Sequence, residues 1–451
     1  MDQTVKGVYQ DVVDALQHPH REVRIQAAQA VGKLIEEGKI TRQGTEQVNN
    51  HVHTAYSFSP YEPAMAAFKA WQAGLQIVGS IDHDSIASAD EMRRAASGIG
   101  IASTVGFELR TSFRDTLLSD RKINSPDGTG TAYVVVHGVP GHQIDACSAF
   151  LKPVQKARNR RNRKQTTQLN TLLKSTDLGA LNFSRDVMSI SHADEGGSIT
   201  ERHILSALAQ RIIDRTGKGE GIIRRLKEDF SITAAGQVLH YLRDPANPHY
   251  LYDLLGVLKA HLLPKFYIQP DESETLPVAE VVKFASSIGA VAAYPYLGDV
   301  TESPTGDKKA EQFEDSFLEE LFEVLAELGF PAVTYMPPRN TREQLLRVQD
   351  LAHRYGLMEI SGVDINSSRQ SFNCPELLDQ DFIHLIDSAW ALTAHEKLSE
   401  VRESWGLFAH DNPLSGCTLQ EKIFRYSSIG RRMDRRFPHR AEEYIGEDLS
   451  L

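Results

Sequence analysis

The stretch Asn50-His51-Val52-His53-Thr54-Ala55-Tyr56-Ser57 carries two imidazoles two residues apart at the end of a short apolar run. On a strand, residues two apart face the same side, so both rings can reach one cation. Further metal-capable side chains follow: His83 in Ile81-Asp82-His83-Asp84-Ser85, Glu108 in Gly106-Phe107-Glu108, His137 in Val135-Val136-His137-Gly138, and Asp364. Imidazole and carboxylate suit zinc, manganese and iron, and a cluster of both can bridge two ions. Two such ions hold a hydroxide as nucleophile and neutralise a phosphate ester. Taken singly, each residue is better explained as a packed histidine or a helix-capping acid. Six of them at the ends of successive strands imply one shared metal site. Asp82 and Asp84 either orient neighbouring imidazoles or cap the next helix. His192 and Asp194, just before Gly196-Gly197, read as loop residues.

The elements that position these groups are short apolar runs alternating with helices. The strand candidates are 47–53, 76–82, 99–109, 131–139, 290–294, 332–336 and 357–365, with helices such as 63–73, 315–328 and 341–355 between them. Such alternation predicts a parallel sheet, and in α/β barrels the working groups sit at the C-terminal strand ends. His53, Asp82, Glu108, His137 and Asp364 all finish a run, which predicts a barrel with one site at its mouth. Residues 1–45 form a helical hairpin: Val5, Val8, Val12, Val13 and Leu16 make one stripe, and Val23, Ala27, Ala30, Val31, Leu34 and Ile35 another. The hairpin either caps the barrel or holds a partner. Residues 204–275 read as a helical insertion over the mouth, dividing the barrel into 46–203 and 276–374, and 375–451 as a helical C-terminal extension. Arg158, Arg160, Arg161, Arg163 and Lys164 make a basic helix, expected to be a solvated face rather than a nucleic-acid groove.

The bulk numbers set limits. With 451 residues, 41% hydrophobic and 24% charged, the chain has the composition of an ordinary globular protein. A net charge of −11 argues against nonspecific nucleic-acid binding. Cys147, Cys374 and Cys417 are too few and too scattered for a disulfide framework or a Cys-rich zinc site, and are expected as reduced thiols of a cytoplasmic protein. No signal core and no run near the roughly 20 apolar residues of a membrane span is present, so no membrane partner is expected.

Taken together, the motifs resemble the polymerase and histidinol phosphatase (PHP) superfamily of metal-dependent phosphoesterases. His51-Val52-His53-Thr54-Ala55-Tyr56-Ser57 matches its opening H-x-H-T-x-x-S, and Ile81-Asp82-His83-Asp84 its T-D-H-D. Glu108 stands for its lone glutamate and His137 for its strand histidine. Thr200-Glu201-Arg202-His203-Ile204 is similar to the G-R-P-H-I-A segment of the branch that hydrolyses nucleotide phosphates. The resemblance covers most of 46–370. It implies an α/β fold, a distorted (β/α)7 barrel with a helical insertion, and here helical N- and C-terminal extensions. It further implies divalent metal ions, manganese, iron or zinc, on His51, His53, His83, Glu108, His137 and Asp364.

Three departures touch the metals. The family's S-D-G is Ser57-Phe58-Ser59, its A-H-P is Ala293-Tyr294-Pro295, and its final D-x-H is Asp364-Ile365-Asn366. An amide oxygen is a weaker ligand than imidazole, and a tyrosine binds only as a phenolate of lowered pKa. One to three ions are therefore expected. The expected reaction is hydrolysis of a small phosphate ester or nucleotide by a metal-activated water. Arg202 would clamp the phosphate, and His203 would contact it or protonate the leaving oxygen. Asp364 would be both ligand and catalytic group, and Lys265 and Arg369 further phosphate-binding candidates. The alternative is a catalytically degenerate barrel that binds a ligand or partner.

Overall fold

In this computed structural model the described residues are 3–125, 128–300, 312–446 and 448–449, with side chains from residue 9 onward. Among them, one sheet holds β1 (Val48–Val52), β2 (Ile77–His83), β3 (Ala102–Ser112), β4 (Thr131–His137), β5 (Leu276–Pro277), β6 (Val291–Pro295), β7 (Ala332–Tyr335) and β8 (Met358–Ser361). Strand order is β1-β2-β3-β4-β6-β7-β8, with the two-residue β5 attached to β3. All seven expected strands form, and the result is a distorted (β/α)7 barrel.

The distortion has a definite source. Six of the barrel strands run parallel, but β4 is antiparallel to both β3 and β6, against the expectation of an all-parallel sheet. Parallel neighbours require a crossover, usually a helix, whereas antiparallel neighbours do not. Among the described residues, the link 113–130 between β3 and β4 contains no helix, so the chain returns directly beside β3. The end of β4 therefore lies at the opposite end of the barrel from the ends of β3 and β6.

Closure is made by few bonds. β1 meets the chain just after β8 through a bridge between Val52 and Ile365. His53 N donates to Ile365 O at 3.0 Å and Ile365 N to His51 O at 3.2 Å. The Asn49 and Asn50 amides extend the seam by donating to Val363 O (3.0 Å) and Ser361 O (2.9 Å). The backbone of Gly362 passes so close that an added Cβ would lie 2.5 Å from His51 Cβ.

The helices are α1 (Gln3–Asp14), α2 (Arg21–Glu36), α3 (Pro63–Gln72), α4 (Ala89–Ile99), α5 (Ile144–Leu173), α6 (Glu201–Thr216) and α7 (Glu220–Phe230). They continue with α8 (Gly236–Arg243), α9 (Tyr250–Phe266), α10 (Val278–Ser287), α11 (Leu318–Leu328), α12 (Arg342–Tyr355), α13 (His384–Val401) and α14 (Leu419–Arg432). The α1–α2 hairpin flanks the barrel, its buried Arg24 forming a two-pronged bond with Glu91 of α4 at 2.8 and 2.6 Å. The Val5 and Val8 side chains of the expected stripe lie outside the described residues. A second hydrophobic core is separate from that of the barrel. It joins Leu169 and Leu173 of α5 to Ile204, Leu208, Leu254, Leu258 and Phe266, so the insertion's packing begins well before residue 204.

A third core joins Val291, Ala293, Ala332, Met358 and Ile360 to Ala391, Leu392 and Leu398 of α13. The inner faces of β6–β8 thus end on a helix that is buried on almost every side, the mark of a helix inside a core. α13 plugs the barrel at the end away from the mouth. Its Glu396 accepts a bond from Val105 N at 2.8 Å and pairs with Lys397. No helix among the described residues is long and apolar enough to cross a membrane.

Because Gly362 has no room for a side chain, Gly362→Ala should destabilise the fold by about 1–3 kcal/mol. A thermal melt reads this directly, and an unchanged Tm would show that the β1–β8 seam yields freely.

Candidate metal centre

Strand alternation builds the site. The register pairs His83 with Glu108 and Glu108 with Val135, so these side chains share one layer facing inward. His53 leaves the top of β1, and His51 faces the same way one layer lower. Around the Glu108 carboxylate stand three imidazoles: His83 Nδ1 at 2.8 Å, His53 Nε2 at 3.2 Å and His51 Nε2 at 3.7 Å. Asp364 Oδ1 lies 3.2 Å from His53 Nε2. Among the described residues, His51, His53 and Glu108 place their donor atoms all within 4.8 Å of one another.

The charges of these groups are strongly coupled. Burial pulls His53 down, but the neighbouring Asp364 and Glu108 carboxylates override it and carry the imidazolium up to about 10. Burial pushes Glu108 up, and the surrounding histidines hold it well below the usual carboxylate range all the same. Asp364 is held low in the same way, chiefly by His53 against burial. His83 falls below its ordinary value through desolvation, which Glu108 only partly offsets.

This donor set fits a divalent ion. His53 Nε2 and His83 Nδ1 are buried and make no well-directed hydrogen bond, although buried polar atoms are as a rule satisfied. Two carboxylates and three imidazoles are oxygen and nitrogen donors of the kind that zinc, manganese and iron take. The other ring nitrogen of His53 is fixed from behind. Asp82 accepts from Thr54 N (2.8 Å), Thr54 Oγ1 (2.7 Å), Ser57 Oγ (2.6 Å) and Ser88 Oγ (2.5 Å). With its proton given to Asp82, Ser57 Oγ is left to accept from His53 Nδ1 at 3.2 Å. Such a bond orients the ring and turns Nε2 inward. Asp82 is therefore an organiser of the loop rather than a donor to the ion.

The remaining expected residues are distributed differently. His137 ends the reversed strand, opposite Val291 at the start of β6. It is buried inside the barrel below the Glu108 layer, with neither ring nitrogen hydrogen-bonded. Burial, and then His51, lower its pKa to about 3. His203 does not line this pocket. Its Nδ1 accepts from Thr200 N at 3.0 Å and closes the first turn of α6, its ring meets Phe58 edge-on, and it faces a neighbouring cavity. Arg202 does line the pocket, its Nη1 donating to Asn366 O at 3.2 Å. Lys265 is exposed away from it. Arg369 is spent on Asp253, with bonds of 2.7 and 2.8 Å. His192 is engaged with Glu62 at 2.9 Å and stacked on Tyr56, and Asp194 is exposed.

Two of the three substituted positions now have a structural account. Ala293 and Pro295 face the barrel interior, so Tyr294 between them points outward. Its hydroxyl donates to Glu314 at 3.1 Å, and desolvation together with Glu314 keeps the phenol far above its usual pKa. It is not a ligand. Asn366 gives its amide to Asp364 Oδ1 at 2.7 Å, taking the role of a brace. Phe58, at the third position, has φ +88° and lines the pocket.

The basic helix is not a solvated face throughout. Arg160, Arg163 and Lys164 are exposed, but Arg158 and Arg161 are buried. Arg158 pairs with Asp84 and lies 3.3 Å from Glu201; Arg161 reaches Glu201 at 2.7 Å and Glu274 at 2.6 Å. These ions tie α5 to the end of β2, to the start of α6 and to the strand of Arg110. The pocket, of about 290 Å³, is walled by Arg110, Arg158, Arg202 and Lys259 with Tyr133 and Tyr267. Arg110 follows Glu108 by two residues on β3 and so shares its face, a signal present in the sequence. Lys259 of α9 carries no comparable signal.

No family model and no curated protein matches the chain. Several solved structures are similar, two of them as follows. One is a candidate metal-dependent phosphoesterase from Bifidobacterium adolescentis, with 18% identity and TM-score 0.49 over 77% of this chain and 98% of that one. The other is an amidohydrolase from Chromobacterium violaceum, solved with sulfate and no metal, with 16% identity and TM-score 0.47 over 76% and 96%. Likeness at this level does not place the chain in the superfamily that its motifs resemble. The chemistry of the pocket rests on its own geometry.

That geometry fixes a pH dependence. Folding raises His53, a contribution present below its unfolded value of about 6.5 and lost as pH climbs through about 10. Folding lowers Glu108 and Asp364, a contribution present above about pH 4 and lost on acidification. In the metal-free protein, the excess stability of wild type over His53→Gln should be largest between about pH 4.5 and 6.5. It should shrink toward pH 10, as urea titrations across that range would read; an excess that grows with alkalinity contradicts the assignment.

Proposed function

We propose that this chain is a metal-dependent hydrolase acting on a small phosphate ester or nucleotide. The observation that carries the reading is a buried imidazole–carboxylate group at the floor of a pocket that Arg202 and Lys259 also line. His51, His53 and Glu108 would hold the first divalent ion, with His83 and Asp364 beside them as further donors. Such an ion supplies a bound water of lowered pKa and a Lewis acid for a phosphoryl oxygen.

The residues of the chain account for the rest. Arg202 donates from Nη1 to the backbone carbonyl of Asn366. Its remaining donors suit the paired hydrogen bonds of a phosphoryl group. Tyr133, Tyr267 and Leu263 also line the pocket, the Tyr133 ring 5.7 Å from that of His83, and would give the reacting ester apolar surface. Arg202 and Lys259 favour a phosphate over an uncharged amide. A volume of about 290 Å³ and a net charge of −11 suit a small phosphorylated molecule rather than a nucleic acid. His203 takes no part, since it faces the other cavity.

The second reading, a barrel that binds without turnover, draws on Tyr294 and Asn366. Neither contributes a donor to the ion, so the set is smaller than the family's. Elemental analysis and turnover on a panel of phosphomonoesters and nucleotides, with manganese added, separate the two. The hydrolase reading expects bound metal and phosphate release that falls by about 100-fold or more in Glu108→Gln. It also expects a KM about tenfold higher in Arg202→Gln. Bound metal with no release from any substrate would leave the binding barrel.

A further inference from the structure

The turn that follows β8 has a job beyond delivering Asp364. Three contacts fasten it to the helical insertion. Arg202 of α6 bonds Asn366 O at 3.2 Å, and His249, just before α9, shares a 2.8 Å bond with Ser368 Oγ. Arg369 grips Asp253 of α9 through Nε and Nη2 at 2.7 and 2.8 Å, reaches Asn247 Oδ1 at 3.3 Å, and lies 3.5 Å above the ring of Tyr241 of α8. Asp253 is itself buried and is also bonded by Asn247 Nδ2 at 2.7 Å. A two-pronged, ring-stacked arginine on a buried carboxylate has little freedom of orientation.

Inside the turn, a bond from Gln370 N to Ser367 O at 3.3 Å closes the loop, and a side-chain network leads back to Asp364. Gln370 Nε2 donates to Asp364 O at 2.8 Å, Asn366 N donates to Gln370 Oε1 at 2.7 Å, and Asn366 Nδ2 donates to Asp364 Oδ1 at 2.7 Å. Asp364 is the carboxylate of the site with the most freedom, its side chain 36% exposed against 8% for Glu108. Its backbone lies beyond the end of β8 at Ser361, between Val363 and Ile365, which bond β1. The seam fixes that backbone, and the turn that follows fixes the carboxylate.

We infer that Arg369 is a positioning residue: by clamping the 364–370 turn to the insertion, it holds Asp364 against His53, so that the helical cover and the metal centre are set together. This rests on the reading of the site as a metal centre. The insertion is then more than a lid over the substrate. A displacement of α9 would pull on Arg369, and through the turn on a donor to the ion.

The test is a double-mutant cycle on the full chain with the metal alone as probe. Manganese or zinc affinity is measured by calorimetry for wild type, Arg369→Gln, Asp364→Asn and the double variant, with circular dichroism confirming the fold. Arg369→Gln should weaken metal binding about tenfold, and should have no further effect once Asp364 is already Asn. Asp253→Asn should reproduce the loss from the other side of the contact, and hydrogen exchange should quicken across 364–370 in both. A loss of equal size in both Asp364 backgrounds would mark a general structural role and overturn the proposal. So would unchanged affinity in Arg369→Gln. If wild type itself binds no metal, the reading of the site fails first, and the two failures are told apart.

Discussion

A carboxylate in the middle of a barrel is the constraint on which the rest depends. Glu108 is buried and charged, and a buried charge is costly unless it is paired. Three imidazoles and the chain behind them supply that pairing. His83 comes from the adjacent strand at the same level, and His53 and His51 come from β1. Each needs its strand in register, because a slip of one residue would turn it to the opposite face. The β1–β8 seam, with its two asparagine amides and the close backbone approach at Gly362, where no Cβ fits, keeps β1 in that register. Asp82 then gathers Thr54, Ser57 and Ser88 and aims one ring from behind. Fold and site are one arrangement here, since the bonds that close the barrel also set the rings.

Reversal of β4 shapes the interior as much as the histidines do. In an all-parallel barrel, His137 would stand at the mouth with the other strand-end residues. Because β4 runs the other way, its mouth-side end presents Tyr133 beside Arg110, and His137 goes down into the barrel. The site thus gains a wall of aromatic and cationic groups where the motif pattern called for another ligand. It keeps an imidazole buried beneath His51 that, among the described residues, has no hydrogen-bond partner.

Much of this was legible in the sequence, and the failures share a cause. Strand positions and the shared face of His51 and His53 follow from alternation, which is local; that His83 stands level with Glu108 follows from the β2–β3 register, which is not. The direction of β4 was not legible, because it depends on what the 113–130 link lacks. Arg158 and Arg161 read as solvated because charge in a helix says nothing of which face will be covered; their partners Asp84, Glu201 and Glu274 are far away in the chain. Tyr294 was aligned with a histidine ligand, but strand alternation sends it outward. His203 sits in a motif-like segment, yet its position three residues after Thr200 makes it a cap for α6. Arg369 looked like a free cation until α9 placed Asp253 under it.

The plug formed by α13 has a consequence for traffic. Among the described residues, α13 is buried against Met358, Ile360 and Ala332 and gives the barrel a floor. With that end covered, the way in between the insertion and the strand ends is also the way out. For a cleavage reaction that makes two products, the fragment nearer the mouth goes first and the one against the floor goes last. Departure is then sequential by architecture, and the slower of the two exits is set by the deepest contacts rather than by the opening.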